Sequence, residues 1–213
     1  MTELAEKALV LLQEVWAADK DSAHDLGHIA RVRMNARQIA KAEGPVDAEA
    51  LDLACILHDL VNLPKDAPDR HLASRLSADR AASWLTDHGF APERCAIVHG
   101  AIEAHSFSAG LPAQTREAKI LQDADRLEAL GAIGLARMFA VSGALGRDLF
   151  DQTDPLAQNR ALDDKAFALD HLEVKLFKLV GTMQTETGRR LAKERAAFLI
   201  VFRDQLLREI GQA

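Results

Sequence analysis

The chain has 213 residues, 48% of them apolar and 27% charged, with 12 Gly, 6 Pro and a formal net charge of −6. That composition excludes collagen-like, low-complexity and wholly disordered chains, and the length suits one domain or one domain plus a subdomain. An acidic balance repels phosphate backbones and so argues against dedicated nucleic-acid binding, although a metal or a local basic cluster can reverse the sign inside one cleft.

Apolar residues recur every three or four positions almost throughout, which predicts an all-α protein. The first helix runs from about Thr2 to Ala18, with Leu4, Ala8, Leu11, Leu12 and Val15 on one face. Ser22 is positioned to cap a second, from about Asp25 to Glu43, which Gly44-Pro45 stops. Asp47 caps a third that extends to about Val61, with Leu51, Ala54, Cys55 and His58 on one stripe. Pro64 and Pro68 mark a loop, followed by helices at about Ala73–His88, Pro92–Ser106, Ala113–Leu130 and Ala132–Ala144. Between Gly143 and Asp163 the pattern fades into Gly, Asp, Pro and Gln, which leaves open a functional lid or a slack connection. Two closing helices, about Asp164–Met183 and Glu186–Ile210, predict a C-terminal hairpin.

The longest uninterrupted apolar run, Ala196 to Phe202, is far shorter than a membrane span. The N-terminal Met-Thr-Glu-Leu-Ala-Glu-Lys is acidic where an export signal would be basic, so a cytoplasmic location is expected. Cys55 and Cys95 sit in apolar helical patterns and read as reduced packing residues. Trp16 and Trp84 read as core anchors, and Gly131-Ala-Ile-Gly134, which lacks a following Lys-Ser/Thr, reads as close helix packing.

The residues able to carry chemistry are histidines and carboxylates. His28 lies in the second helix, His58-Asp59 closes the third after Ala-Cys-Ile-Leu, and Asp125 lies within Gln122-Asp-Ala-Asp125-Arg-Leu-Glu128. Two imidazoles and two carboxylates make a mixed nitrogen and oxygen donor set that balances a divalent cation. It suits octahedral Mn²⁺, Fe²⁺, Co²⁺, Ni²⁺ or Mg²⁺ and not a closed, cysteine-rich structural zinc site. Adjacent helical residues point about 100° apart, so His58 and Asp59 share an ion only in a groove beside the helix. Spacing alone leaves His58-Asp59 open between a satisfied core pair and a ligand pair.

The blocks Ala23-His24-Asp25 through His28 and Arg31-Val32, Leu57-His58-Asp59 with Lys65, Ala104-His105-Ser-Phe-Ser108 and Gln122 through Gly134, with Lys175-Leu-Phe-Lys-Leu179, occur in one order. In that order the chain resembles the HD superfamily of metal-dependent phosphohydrolases, more narrowly its YedJ/YpgQ-like bacterial hydrolases, over roughly Ser22 to Arg195. The resemblance implies an HD-domain helical bundle, with a metal-binding domain at 1–145 and a lid and C-terminal helices at 146–213 packed on it.

It further implies hydrolysis of a phosphate ester or anhydride, most simply of a small nucleotide and including pyrophosphate release from nucleoside triphosphates. The metal ligands it implies are His28, His58, Asp59 and Asp125. Some family members place a Glu three residues after the ligand Asp to orient water, whereas Asn62 stands here. Water activation is therefore assigned to the cation and Asp59, helped by Glu103 or His105. On one helix His99 lies about 120° from His105, so the two do not share an ion. Arg31, Lys65 and Arg126 are expected to hold phosphate oxygens, the alternative for each being a surface ion pair. His24 and Asp25 are expected to orient His28 from one turn before it. Two other classes compete: a catalytically weak nucleotide-binding regulator using the same pocket, and the superfamily's di-iron oxygenases, which need further converging histidines. Homodimerisation through the C-terminal hairpin is left open, and no membrane partner is expected.

Overall fold

The computed structural model describes residues 1–17, 26–63, 69–106 and 109–212. Among them are nine α-helices: α1 (Glu3–Ala17), α2 (Leu26–Glu43), α3 (Ala48–Leu57), α4 (Ala73–Asp87), α5 (Pro92–His105), α6 (Arg116–Arg126), α7 (Gly131–Ala144), α8 (Phe177–Leu179) and α9 (Glu186–Glu209). No strand forms among the described residues, and one isolated bridge joins Asp148 to Phe167. No single described helix is long and apolar enough to cross a membrane. The chain divides into two compact units, Met1–Asp125 and Arg126–Ala213.

The first unit is built round α3. Seven of its ten residues are buried, and it packs against α1, α2, α4 and α5. Leu53, Ile56 and Leu57 are fully enclosed, each contributing about 1.5–3 kcal/mol by removal from water. Asp47 caps the helix through the Ala50 amide at 3.0 Å and also binds Arg94 at 2.5 and 2.6 Å. The α4–α5 turn needs Gly89 at φ +73°, where the Phe90 amide reaches back to Leu85. Cys55 and Cys95 are buried free thiols.

The expected end of α2 holds, with Gly44 in a left-handed conformation at φ +97° directly after Glu43. That of α3 fails, since the helix stops at Leu57 and not near Val61; the Leu60 amide turns back to the Leu57 carbonyl. The helix expected at Ala113–Leu130 is interrupted as well, α6 passing into a 3-10 turn over Leu127–Ala129.

In the second unit α7 packs along α9, with the Phe139 and Phe202 rings 5.7 Å apart. Gly134, in the first turn of α7, lies so close to the preceding 3-10 turn that a Cβ would lie 2.2 Å from the Ala129 carbonyl carbon and oxygen. The helix expected at Asp164–Met183 is shorter and irregular, a π turn over Leu172–Leu176 leading through α8 to a 3-10 turn at Val180–Thr182. The weakly patterned stretch before it is tied down by its aspartates. Asp170, 2% exposed, takes a two-pronged bond from Arg160 at 2.6 and 2.9 Å and accepts from the Asp163 amide. Asp151 and Asp154 cap the intervening turns.

Candidate metal centre

Four elements of the first unit bring chemistry-bearing side chains to one point. His28 occupies the first turn of α2, on the face that also buries Ile29, Val32, Asn35 and Ile39. His58 and Asp59 follow the last residue of α3, His105 is the last residue of α5, and Asp125 is next to last in α6. Three helix C-termini therefore meet at the cluster. The carbonyl end of a helix carries about half a negative charge, so the arrangement favours a cation before any side chain is counted.

His58, the residue after α3, keeps helical dihedrals at φ −60° and ψ −33°, and the His-Asp doublet meets beside the helix end, with His58 Nε2 3.4 Å from Asp59 Oδ2. His28 Nε2 lies 3.3 Å from His58 Nε2, 3.5 Å from Asp125 Oδ1 and 3.9 Å from Asp59 Oδ2. Asp125 Oδ1 is 4.0 Å from His58 Nε2. The second carboxylate oxygen of Asp59 faces His105 Nε2 at 3.6 Å. Two overlapping groups suited to holding a metal ion result: His28, His58 and Asp125; and His58, Asp59 and His105.

The donor set fits a divalent ion. Cis ligands of an octahedral ion bonded at about 2.1 Å sit about 3 Å apart, slightly inside the separations seen. The His58 and His105 Nδ1 atoms donate to the Cys55 and Ile102 carbonyls at 2.9 and 2.6 Å, which aims both Nε2 atoms inward. His28, His58 and His105 are 2%, 0% and 5% exposed, whereas the carboxylates keep an open side. Burial pushes the His58 imidazole down, but the Asp59 charge and hydrogen bond and the Asp125 charge outweigh it and raise it to about 9. For Asp125, burial pushes up and the His58, His28 and His105 imidazoles win, holding it below the usual carboxylate range. Both shifts favour positive charge at the cluster.

Further side chains hold the main chain on which the cluster stands. Trp16 Nε1 donates to the Asp59 carbonyl at 3.1 Å, so Trp16 does more than anchor the core. Asn35 Nδ2 donates to the Ala124 carbonyl at 3.2 Å, one residue before Asp125. Gln122 Nε2 donates to the Ala104 carbonyl at 2.7 Å, one residue before His105. The Ala104 and Ala124 carbonyls belong to the last turns of α5 and α6, where carbonyls lack intrahelical partners.

The remaining sequence candidates are distributed as follows. Glu103, half-buried and about 160° round α5 from His105, is not among the groups that gather at the cluster. His99 pairs with Asp79 at 2.8 Å. Arg31 is half-buried on α2, about 60° round the helix from His28. The Arg126 guanidinium donates to the Thr182 carbonyl at 2.7 Å. His24, Asp25, Lys65 and the capping residue Ser22 lie outside the described residues.

This arrangement of helices and donors defines an HD domain, and the family model of that description matches residues 25–130. The chain belongs to the HD-domain superfamily, and within it is similar to YpgQ of Bacillus subtilis (strain 168). The identity is 33% over 210 residues, covering 97% of this chain and 93% of that protein. A crystal structure of an HD-superfamily hydrolase from Bacillus thuringiensis superposes with a TM-score of 0.77 at 29% identity, covering 99% of this chain and 98% of that one. Bacillus subtilis YpgQ in complex with ADP superposes with a TM-score of 0.74 at 32% identity, covering 98% and 97%. The fold and family are thus those of HD-superfamily hydrolases.

Proposed function

We propose that this protein is a divalent-metal-dependent phosphohydrolase acting on a small nucleotide. The observation that carries the reading is the gathering of the His28, His58, Asp59 and Asp125 donor atoms, 3.3 to 4.0 Å apart in the pairs measured, where three helix C-termini meet. The ADP complex of YpgQ supports a nucleotide as substrate or product. Cleavage of an ester or an anhydride bond, with release of phosphate or pyrophosphate, fits the same donor set.

Under this reading His28, His58, Asp59 and Asp125 hold Mn²⁺, Mg²⁺, Co²⁺, Ni²⁺ or Fe²⁺. When bound, the ion supplies Lewis acidity toward phosphate and a water acidified to near neutral pH. The chain's residues do the rest. Asp59 divides its carboxylate, one oxygen toward His28 and His58 and the other toward His105. His105 is placed to hold or accept a proton beside the attacked phosphorus, a role that Asn62 does not fill and that His105 meets with better geometry than Glu103. Arg31, on the His28 side of α2, Arg126 and Lys65 are the cations assigned to phosphate oxygens. A histidine positioned this way also suits a protein that binds nucleotide and turns it over slowly, so rate as well as binding must be measured.

The test is a panel of nucleoside mono-, di- and triphosphates and simple phosphoesters with each of Mn²⁺, Mg²⁺, Co²⁺ and Ni²⁺, followed by phosphate and pyrophosphate detection. Hydrolysis that needs the metal and falls to background in Asp59→Asn is expected. Bound nucleotide that survives single-turnover conditions intact with every ion would refute the catalytic reading. Activity unchanged in Asp59→Asn would refute the site.

A further inference from the structure

The face of α2 turned away from the metal centre bears a second concavity. A cleft of about 280 Å³ opens between α2 and α3. Arg37, at its rim, lies about 180° round α2 from His28, so the cleft and the cluster share a helix but no face. Its floor is apolar, formed by Leu51 of α3 at 4% exposure with Cys55 fully enclosed behind it. On α2 the small side chains of Ala36 and Ala40, one turn apart, leave the space open.

The rim is basic. Arg33, Arg37 and Lys41 repeat every four residues along α2, a row of like charges that costs the helix a few tenths of a kcal/mol per pair. One carboxylate answers them: Asp52 accepts from Arg33 at 2.9 and 2.6 Å and from Arg37 at 2.9 Å. Three cations against one anion leave the rim positive in a chain whose net charge is −6. Arg37 is 64% exposed and keeps donors turned to solvent. Ala48, in the first turn of α3, also lines the cleft, so a helix N-terminus adds to the positive field. The volume lies near the lower end of the range for small-molecule sites and suits a body of one or two rings.

We propose that this cleft is a second ligand site, separate from the metal centre, which takes a small organic anion with a flat apolar body. The acid group sits on Arg37 and Lys41 and the rings lie over Ala36 and Ala40. Aryl carboxylates, sulfonates and phosphates of one or two rings form the ligand class.

The probe is 5-dimethylaminonaphthalene-1-sulfonate, a two-ring anion whose fluorescence rises in apolar surroundings. It is titrated into the full chain with amide chemical shifts followed in parallel. Saturable binding is expected, with shifts confined to α2 and α3. Affinity should fall at least tenfold in the double variant Arg37→Ala/Lys41→Ala, vanish in Ala40→Phe, and stay unchanged in Asp59→Asn. Thermal melts of the variants separate lost binding from lost folding, and the exposed pair Arg37 and Lys41 supplies the arm least able to unfold the chain. Binding indifferent to both the charge and the filling variants would overturn the proposal. So would binding abolished by Asp59→Asn, which would place the probe at the metal centre, or binding seen only at probe concentrations above several millimolar.

Discussion

Raising the pH of the metal-free protein from 6.5 to 9 should weaken its first unit. In the folded chain the His58 proton is held by Asp59 and Asp125 against the effect of burial, and the imidazole titrates near 9 in place of 6.5. A group whose folded value is raised contributes stability that is complete below 6.5 and is lost as the pH climbs through 9. Each tenfold difference in proton affinity is worth about 1.4 kcal/mol, so the loss across this window amounts to about 3 kcal/mol. That is a large share of the roughly 5–15 kcal/mol that holds a domain together. Trp16 and Trp84 are the chain's two tryptophans, and both lie in the first unit. Urea denaturation followed by their fluorescence in the presence of a chelator, at half-unit pH steps, therefore reads the relevant transition. A midpoint that is constant or rises between pH 7 and 9 would refute the electrostatic account. Asp59→Asn should flatten the dependence, since it removes the leading source of the raised value. Added Mn²⁺ should invert it, because the ion requires the neutral ring and binds more tightly as the proton leaves.

Other perturbations have equally definite outcomes. Trp16→Phe removes the donor to the Asp59 carbonyl and should cost about 1 kcal/mol in urea denaturation while weakening Mn²⁺ binding measured by calorimetry. Gly134→Ala drives a methyl group into the Ala129 peptide and should destabilise the second unit by about 3 kcal/mol or prevent its folding, as read by the thermal midpoint. Arg160→Ala leaves the buried Asp170 carboxylate without its two-pronged partner, and a loss of about 3 kcal/mol is expected, with faster proteolysis between residues 145 and 166.

Local chemistry explains which parts of the structure the sequence disclosed. Gly44-Pro45 ends α2 because only glycine adopts φ +97° cheaply, and Asp47 starts α3 because its carboxylate caps an exposed amide. Both signals are confined to a few residues and survive folding unchanged. The end of α3 was not legible in the same way. The helical stripe continues through His58, but the helix closes there, the His58 ring bonding back to the Cys55 carbonyl and the Leu60 amide to the Leu57 carbonyl. The His-Asp doublet was visible, and so was its family pattern with His28 and Asp125. Their convergence depends on helix packing that no single segment encodes. The bonds that Asn35 and Gln122 make are hidden in the sequence for a related reason. They act on main-chain carbonyls of other helices, and a carbonyl leaves no mark in a sequence. The segment from Leu172 to Thr182 carries a helical apolar pattern, but its turns widen to π over Leu172–Leu176 and tighten to 3-10 over Val180–Thr182, a change that apolar periodicity does not record.

Cys55 joins two roles: its carbonyl fixes the His58 ring, and its thiol is enclosed in the core. Burial, ahead of the nearby Asp52 charge, pushes that thiol well above its ordinary range, so in the closed molecule it is shielded from alkylating reagents and lacks the reactive thiolate form. Modification must then wait until α3 parts from its neighbours. In a Cys95→Ser background the labelling rate of this one sulfur becomes a clock for how often the helix that carries the His-Asp doublet comes loose, and occupancy by a metal should slow it.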